Sequence, residues 1–205
     1  MRKVVIIGYS GHAFVVCDIL SSMGKNIIGY MEESPKTTNP FNIEYLGSEK
    51  ELKLLENLKD NDFFIAVGDN QIRKRIYLLL DKNNYTIINV IHSNTVVSSS
   101  AKLENGIMIG PNVIINALST IDHGTICNSG CIIEHECKIS SFVHIGPGAV
   151  LCGNVRVGEN SLIGAGSVIK PNIKIGSNVI VGAGTLVVKD IPDHSKVIGN
   201  PQQFL

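Results

Sequence analysis

From Ile91 to Val187 the chain repeats its hydrophobic pattern every six residues. Sixteen of the seventeen positions in this register are Ile, Leu or Val, and the exception, Cys127, is also small and apolar. Glycine often follows the register residue, as expected where the backbone turns a tight corner. Uninterrupted hexapeptide repeats predict a parallel β-helix. Three repeats would form one triangular coil, so equivalent side chains would stack every 18 residues with coils about 4.8 Å apart.

Residues 1–85 follow a different pattern, in which short apolar runs alternate with amphipathic helical stretches. The predicted strands are Lys3–Ile7, Asn26–Met31 and Phe63–Val67, and the predicted helices run from just after His12 to Ser21, from Ser48 to Leu58 and from Gln71 to Lys82. Such alternation predicts a small, Rossmann-like α/β domain with a parallel sheet. A last strand, Thr86–Val90, would lead into the coil. We therefore expect an α/β domain in residues 1–85 and a β-helix domain in residues 86–205.

Charge and cysteine content restrict the partners that the protein can have. The 18 Lys and Arg residues balance 18 Asp and Glu residues, so a broad attraction to nucleic acids or anionic membranes is not expected. No apolar run approaches the roughly 20 residues of a membrane span. The chain has five cysteines, an odd number, and none of them form a C-x-x-C motif. This is typical of a reduced, cytoplasmic protein.

Three loops at the carboxyl ends of the predicted α/β strands are candidates for ligand binding. They contain Gly8–His12, the pair Glu32-Glu33, and Gly68. In open α/β sheets ligands bind at this edge, and the N-terminus of the first helix would attract a phosphate. Because the loop Gly8–His12 contains only part of the dinucleotide-binding motif G-x-G-x-x-G, we expect a mononucleotide-type ligand rather than NAD. The alternative is that these segments are ordinary turns and a helix cap.

Position within the 18-residue coil predicts which side chains share an edge of the prism. Asn128, His144, Ala165 and Ala183 fall on one edge, whereas His135 falls on the next. A single chain would therefore not combine His135 with the other four. A threefold trimer would combine them, since an edge of one subunit faces the adjacent edge of its neighbour.

His135 is the candidate catalytic residue because it lies at an outward corner between Glu134 and Glu136. A neighbouring carboxylate fixes the tautomer of an imidazole and raises its basicity. The alternative is a solvated corner histidine without a role. Cys131 and Cys137 are expected to point inward, so we predict no metal site with His135, and a zinc ion held by three histidines at a trimer interface is a minor alternative.

Four motifs together span nearly the whole chain: G-Y-S-G-H near the start, A-V-G-D-N-Q-I-R-K-R-I in the middle, N-S-G-C-I-I-E-H-E-C in the coil and V-I-G-N-P at the end. With them the sequence resembles the sugar O/N-acyltransferases of the sialic acid and bacillosamine pathways. These are hexapeptide-repeat acetyltransferases with an N-terminal nucleotide-sugar domain. Within the family, the likeness is greatest to the enzymes that N-acetylate UDP-4-amino sugars.

The resemblance implies a left-handed β-helix, acetyl-CoA as co-substrate, no metal, and a homotrimer with sites between subunits. It also implies residue roles. The catalytic group would be His135 as general base, Glu136 as the residue that raises its basicity, and Asn128 near the reacting groups; acetyl-CoA would contact His144, Ala165 and Ala183; the nucleotide sugar would contact Ser10, Gly11, His12, Glu32, Glu33 and Gly68. The chain departs from the family pattern in Glu32-Glu33, where two Asp are expected, and in Ala183, where Gly is expected.

The predicted function is direct transfer of an acetyl group from acetyl-CoA to the 4-amino group of a UDP-4-amino-4,6-dideoxy sugar for surface glycans. Alternatives within the same fold are sialic acid O-acetylation and N-acetylation of a dTDP- or GDP-amino sugar. A non-catalytic, nucleotide-sugar-binding trimer is a third interpretation.

Overall fold

In a computed structural model, which describes residues 2–205, the N-terminal part forms one five-stranded parallel sheet. Its elements are β1 (Val4–Ile7), α1 (Gly11–Ser22), β2 (Ile27–Met31), β3 (Glu44–Tyr45), α2 (Leu52–Asn57), β4 (Asp62–Ile65), α3 (Asn70–Lys82) and β5 (Thr86–Ile87). The strand order is β3-β2-β1-β4-β5. Strands β1 and β4 are buried along their whole length, which explains why they appear in the sequence as continuous apolar runs.

The predicted strand over residues 86–90 is in fact two strands that belong to different structures. Strand β5 pairs with β4 and completes the sheet, whereas Val90–Ile91 is the first strand of the coil. Within two residues the pairing partner changes: Ile88 N–H donates to the Phe63 carbonyl, and Val90 N–H donates to the Ile107 carbonyl. The division that we propose, between residues 85 and 86, therefore lies immediately before the last strand of the sheet.

The rest of the chain coils with three faces, and each face is a parallel sheet of two-residue strands. The hexapeptide register predicts the pairing, since Ile115 pairs with Ile133 and Ile133 pairs with Leu151, each 18 residues further on. Register residues fill the interior of the prism and are almost completely buried from Ile109 to Val187. The predicted fold class, an α/β domain followed by a left-handed β-helix, is confirmed.

The three faces differ in their outward residues, and we name them accordingly. The covered face is formed by Val90–Ile91, Met108–Ile109, Ile126–Cys127, His144–Ile145, Leu162–Ile163, Ile180–Val181 and Lys196–Ile198, with Gln203–Phe204 added antiparallel at its end. The apolar face is formed by Val96–Val97, Ile114–Ile115, Ile132–Ile133, Val150–Leu151, Val168–Ile169 and Leu186–Val187. The basic face is formed by Lys102–Leu103, Thr120–Ile121, Lys138–Ile139, Arg156–Val157 and Lys174–Ile175.

The α/β domain sits on the covered face. The outward side chains of the first three strands of the covered face, Val90, Met108 and Ile126, are buried in one cluster with residues of α1 such as Val16 and Leu20. This packing brings the loop at the start of α1 and the loop between β4 and α3 against the middle of the coil. Within residues 2–205, no helix combines the length and apolar character needed to cross a bilayer.

Candidate active site

His135 and Glu136 form a pair at the edge between the apolar and basic faces. Glu136 has a positive φ of 61°, as do several corner residues of the coil, and its carboxylate Oε2 lies 3.0 Å from His135 Nδ1. Since a carboxylate only accepts hydrogen bonds, Nδ1 carries the proton and Nε2 keeps a free lone pair. The His135 side chain is 59% exposed. The pair therefore presents an oriented imidazole, with Nε2 outward, to whatever occupies this edge.

His144 is held differently, on the covered face. Its Nε2 lies 3.3 Å from Asn128 Nδ2, and Asn128 Oδ1 accepts a hydrogen bond from Ser129 N–H at 2.8 Å. Because the second bond orients the amide, Nδ2 donates to His144 and uses the Nε2 lone pair. Asn128 and His144 lie side by side, as the position within the coil predicts.

The structure brings His144 against two residues that the resemblance assigns to the nucleotide sugar. The imidazole of His12 lies 6.2 Å from that of His144, measured between ring centroids. Gly68 lies beside His12 and lines a cavity of about 470 Å³ together with His144. The predicted acetyl-CoA residue and predicted sugar residues thus meet at the joint between the two domains, within one chain.

Both imidazoles at this joint are kept neutral. Burial, then the neighbouring His144, then the Arg73 guanidinium lower the pKa of His12 to about 4. Burial and then Arg73 lower the pKa of His144 to about 4, against an opposing contribution from the Gly68 carbonyl. His12 Nε2 is buried and has no hydrogen-bond partner in the described chain, so a group of a bound ligand would satisfy it.

The lowered pKa values of His12 and His144 predict how stability depends on pH. An unfolded histidine has a pKa near 6.5, so between about pH 6.5 and 4 the unfolded chain binds more protons than the folded chain. The contribution of these histidines to the free energy of unfolding is fully present above pH 6.5 and is lost as the pH drops to 4. The loss is about 3 kcal/mol for the imidazole that is protonated first. Urea denaturation midpoints between pH 7 and pH 4 measure this loss. The variant His144→Gln should flatten the dependence, and an unchanged slope would contradict the assignment.

Arg73 joins the two domains, and it is the residue of the site whose role the sequence analysis did not identify. Its side chain is 1% exposed, and all five N–H groups have acceptors. The acceptors are the carbonyls of Gly124, Val67, Gly68 and Phe142 and the side-chain oxygen of Asn70, at 2.6–3.1 Å. An arginine at a core position of an amphipathic helix is the signal that marks it. Arg73 ties residues 67–70 to two corners of the coil.

A second cavity, of about 370 Å³, lies at the carboxyl ends of the sheet strands and contains other predicted sugar residues. Ser10, Glu32 and Glu33 line it, and the hydroxyl of Ser10 is not used to cap α1. Glu32 Oε2 accepts a hydrogen bond from Tyr9 N–H at 3.2 Å, which holds the loop before α1. Glu33 is exposed, and a hydrogen bond from Lys50 lowers its pKa. Of the two carboxylates, Glu33 is the more exposed, and it is paired with Lys50.

Segment 67–70 separates the two cavities, with Val67 lining the one at the sheet edge and Gly68 lining the one at the coil. Gly11 begins α1 with open space where a Cβ would point. The predicted sugar residues thus lie on both sides of one short segment. They do not form a single pocket in the isolated chain.

Ala165 and Ala183 lie one coil apart, exposed, on the edge between the covered and apolar faces. His135 lies on the edge between the apolar and basic faces. The full width of the apolar face therefore separates His135 from Ala165 and Ala183, so one chain does not bring the predicted base to these predicted acetyl-CoA residues. Among residues 2–205, no three His, Cys, Asp or Glu side chains are arranged to hold a metal ion.

Comparisons with known proteins identify both parts of the chain. Residues 3–80 match the PglD N-terminal domain, and residues 136–171 and 154–189 match the bacterial transferase hexapeptide (six repeats). UDP-N-acetylbacillosamine N-acetyltransferase of Bacillus subtilis (strain 168) is 34% identical over 111 residues, which are 53% of this chain and 51% of that protein. The chain thus matches about half the length of this curated relative.

Solved structures match over the full chain. Perosamine N-acetyltransferase from Caulobacter crescentus, in complex with CoA and GDP-perosamine, is 34% identical, with a TM-score of 0.95 over 100% of this chain and 97% of that chain; this structure carries a His-to-Asn substitution. The acetyltransferase domain of PglB from Neisseria gonorrhoeae FA1090, in complex with acetyl coenzyme A, is 33% identical, with a TM-score of 0.94 over 100% and 99% of the two chains.

Proposed function

The chain belongs to the hexapeptide-repeat acyltransferases that carry a PglD N-terminal domain, and we propose that it transfers the acetyl group of acetyl-CoA to the amine of a nucleotide-linked amino sugar. The observation that carries this proposal is the His135–Glu136 pair, with its free Nε2, in a chain that matches known N-acetyltransferases from end to end. The preferred substrate is a UDP-4-amino-4,6-dideoxy sugar, because the curated relative acts on UDP-N-acetylbacillosamine.

His135 acts as the general base in this proposal. Its Nε2 removes a proton from the sugar amine as the amine nitrogen attacks the thioester carbonyl. When the C–S bond breaks, the same imidazole returns the proton to the CoA thiolate. Glu136 holds the tautomer that leaves Nε2 unprotonated and stabilises the imidazolium that forms.

The geometry favours His135 over His144 for this role. The Nε2 lone pair of His144 already accepts from Asn128, and burial lowers its pKa to about 4, so it is a weak base. We propose that His144, Ala165 and Ala183 instead contact acetyl-CoA along their edge. His12, Gly68 and the residues of the sheet-edge cavity would contact the nucleotide sugar.

A trimer with the three apolar faces turned inward would complete the site. Every outward side chain of that face is aliphatic, and Val96 and Val168 are 63% and 40% exposed. With these faces around a threefold axis, the covered–apolar edge of one subunit lies beside the apolar–basic edge of its neighbour. That arrangement would bring His135 of one chain to the acetyl-CoA residues of the next, which the single chain keeps apart.

The trimer predicts that a charge on the apolar face abolishes assembly and activity together. Val168→Glu would bury three carboxylates near the threefold axis, so we expect a monomer in sedimentation velocity and turnover below about 1% of the unmodified enzyme. Lys174→Glu is the matched control, since it places the same side chain on the outward position of the basic face in the same coil. A trimeric, active Val168→Glu variant would contradict the proposed interface.

A substrate panel separates this function from its alternatives. Thiol release from acetyl-CoA is measured with UDP-, dTDP- and GDP-linked 4-amino sugars and with sialic acid. We expect the UDP-amino sugar to give the highest kcat/KM; a GDP- or dTDP-sugar in first place would change the nucleotide, and sialic acid would indicate O-acetylation. Binding of nucleotide sugar without thiol release from any of them would leave only a binding protein.

We also propose a cytoplasmic location, which the five free cysteines support.

A further inference from the structure

The corner directly above His135 in the coil carries a glycine that its own backbone does not require. Corresponding corner positions in successive coils are occupied by Ser99, Ala117, His135, Gly153, Pro171 and Lys189. Stacking of these corners is direct, since Asn154 N–H donates to the His135 carbonyl and Asn172 N–H donates to the Gly153 carbonyl. The left-handed residues of the corners are the following ones, such as Glu136 and Asn154, and Gly153 is not among them. Side chains as different as those of Pro and Lys are accepted in this position of other coils.

The missing side chain of Gly153 leaves room for the imidazole of His135. A Cβ on Gly153 would lie 2.6 Å from both Cε1 and Nε2 of that ring and 3.3 Å from Cδ2. These distances are far shorter than carbon–carbon and carbon–nitrogen contacts allow. The ring therefore lies over the Gly153 backbone with Nε2, the atom proposed to accept the proton, at the glycine. On the other side of the ring, Nδ1 is hydrogen-bonded to Glu136 Oε2.

We propose that Gly153 is a positioning residue, which gives the His135 imidazole the one orientation that satisfies Glu136 and presents Nε2 to the substrate. This inference rests on the proposed role of His135 as the base. A methyl group at residue 153 would push the ring out of this position. Because the His135 side chain is mostly exposed in the single chain and lies outside the core of the prism, the ring can shift without disturbing that core, so the protein loses the orientation of its base rather than its fold.

The test is the variant Gly153→Ala, followed by steady-state kinetics with both substrates. A displaced base lowers kcat by about tenfold to a hundredfold, while the KM for acetyl-CoA and the melting temperature stay close to those of the unmodified enzyme. Pro171→Ala, in the same corner position one coil further, is the control and should keep kcat within about twofold. A normal kcat, or a raised KM for acetyl-CoA with normal kcat, would overturn the proposal.

A double variant shows whether the effect passes through the imidazole. In the background of His135→Ala no ring lies over residue 153, so Gly153→Ala should lower the residual turnover no further. The same fold-loss in both backgrounds would assign Gly153 another role and reject the inference. A ¹H–¹⁵N spectrum of the histidines tests the position without catalysis. It should report a single Nδ1–H tautomer for His135 in the unmodified enzyme and a mixture of the two tautomers in Gly153→Ala. This result is expected even if His135→Ala proved active and the proposed function failed.

Discussion

Replacing His135 with Ala should lower the turnover number by a factor of about 10² to 10⁴ while the protein stays folded and keeps its oligomeric state. The amine of an amino sugar must lose a proton to attack the thioester, and we propose that His135 Nε2, which has no hydrogen-bond partner in the described chain, accepts it. The side chain is exposed and makes its one side-chain hydrogen bond with Glu136, so its removal leaves no buried group unsatisfied. Stopped assays of thiol release at saturating acetyl-CoA and nucleotide sugar measure the effect.

Two variants make this result specific. His92→Ala, in the first coil, removes an imidazole two coils before Asn128 on the same edge and should leave turnover unchanged. His144→Ala removes the half-buried imidazole and should mainly raise the KM for acetyl-CoA. If His144→Ala instead caused the large loss in turnover and His135→Ala did not, the roles that we assign to the two histidines would be reversed.

The coil could be predicted almost completely from the sequence, because its periodicity carries the whole three-dimensional arrangement. A register without insertions determines which side chain lies above which, so the pairing of Ile133 with Leu151 and the contact between Asn128 and His144 both follow from counting. In the α/β domain only local patterns were available. Strand β3 was missed because two residues carry no pattern, and the helix predicted over Ser48–Leu58 is shorter, at Leu52–Asn57.

The family could also be identified from the motifs, and the comparisons confirm that resemblance. What the sequence did not predict is how the α/β domain docks on the coil. No periodicity connects His12 to His144, since the contact depends on which strands α1 covers. For the same reason the sequence did not predict that His12 and Gly68 lie beside His144 at the joint. The roles of the individual site residues stay predictions until variants are measured.

Arg73 illustrates why such a joint escapes sequence analysis. In an amphipathic helix, an arginine is ordinarily placed on the solvent side, yet Arg73 shares the buried face of α3 with Ile76 and Leu80. Burial lowers the pKa of its guanidinium to about 9, so it remains charged at neutral pH. Four backbone carbonyls and an amide oxygen replace water around this charge, and they come from both domains. The cation therefore holds the domains together and adds to burial, the larger cause, in lowering the pKa of His12 and His144.

Replacing Arg73 with Met should consequently be the most destabilising single change in the joint, lowering the free energy of unfolding by about 3 to 5 kcal/mol. Met fills much of the volume but leaves the carbonyls of Val67, Gly68, Gly124 and Phe142 without this donor. Urea denaturation at one fixed protomer concentration measures the loss, because dissociation of the proposed trimer would make the midpoint depend on concentration. Arg75→Met, the same substitution on the exposed face of α3, is the matched control and should change stability by no more than about 0.5 kcal/mol. Equal effects of the two variants would mean that Arg73 does not join the domains.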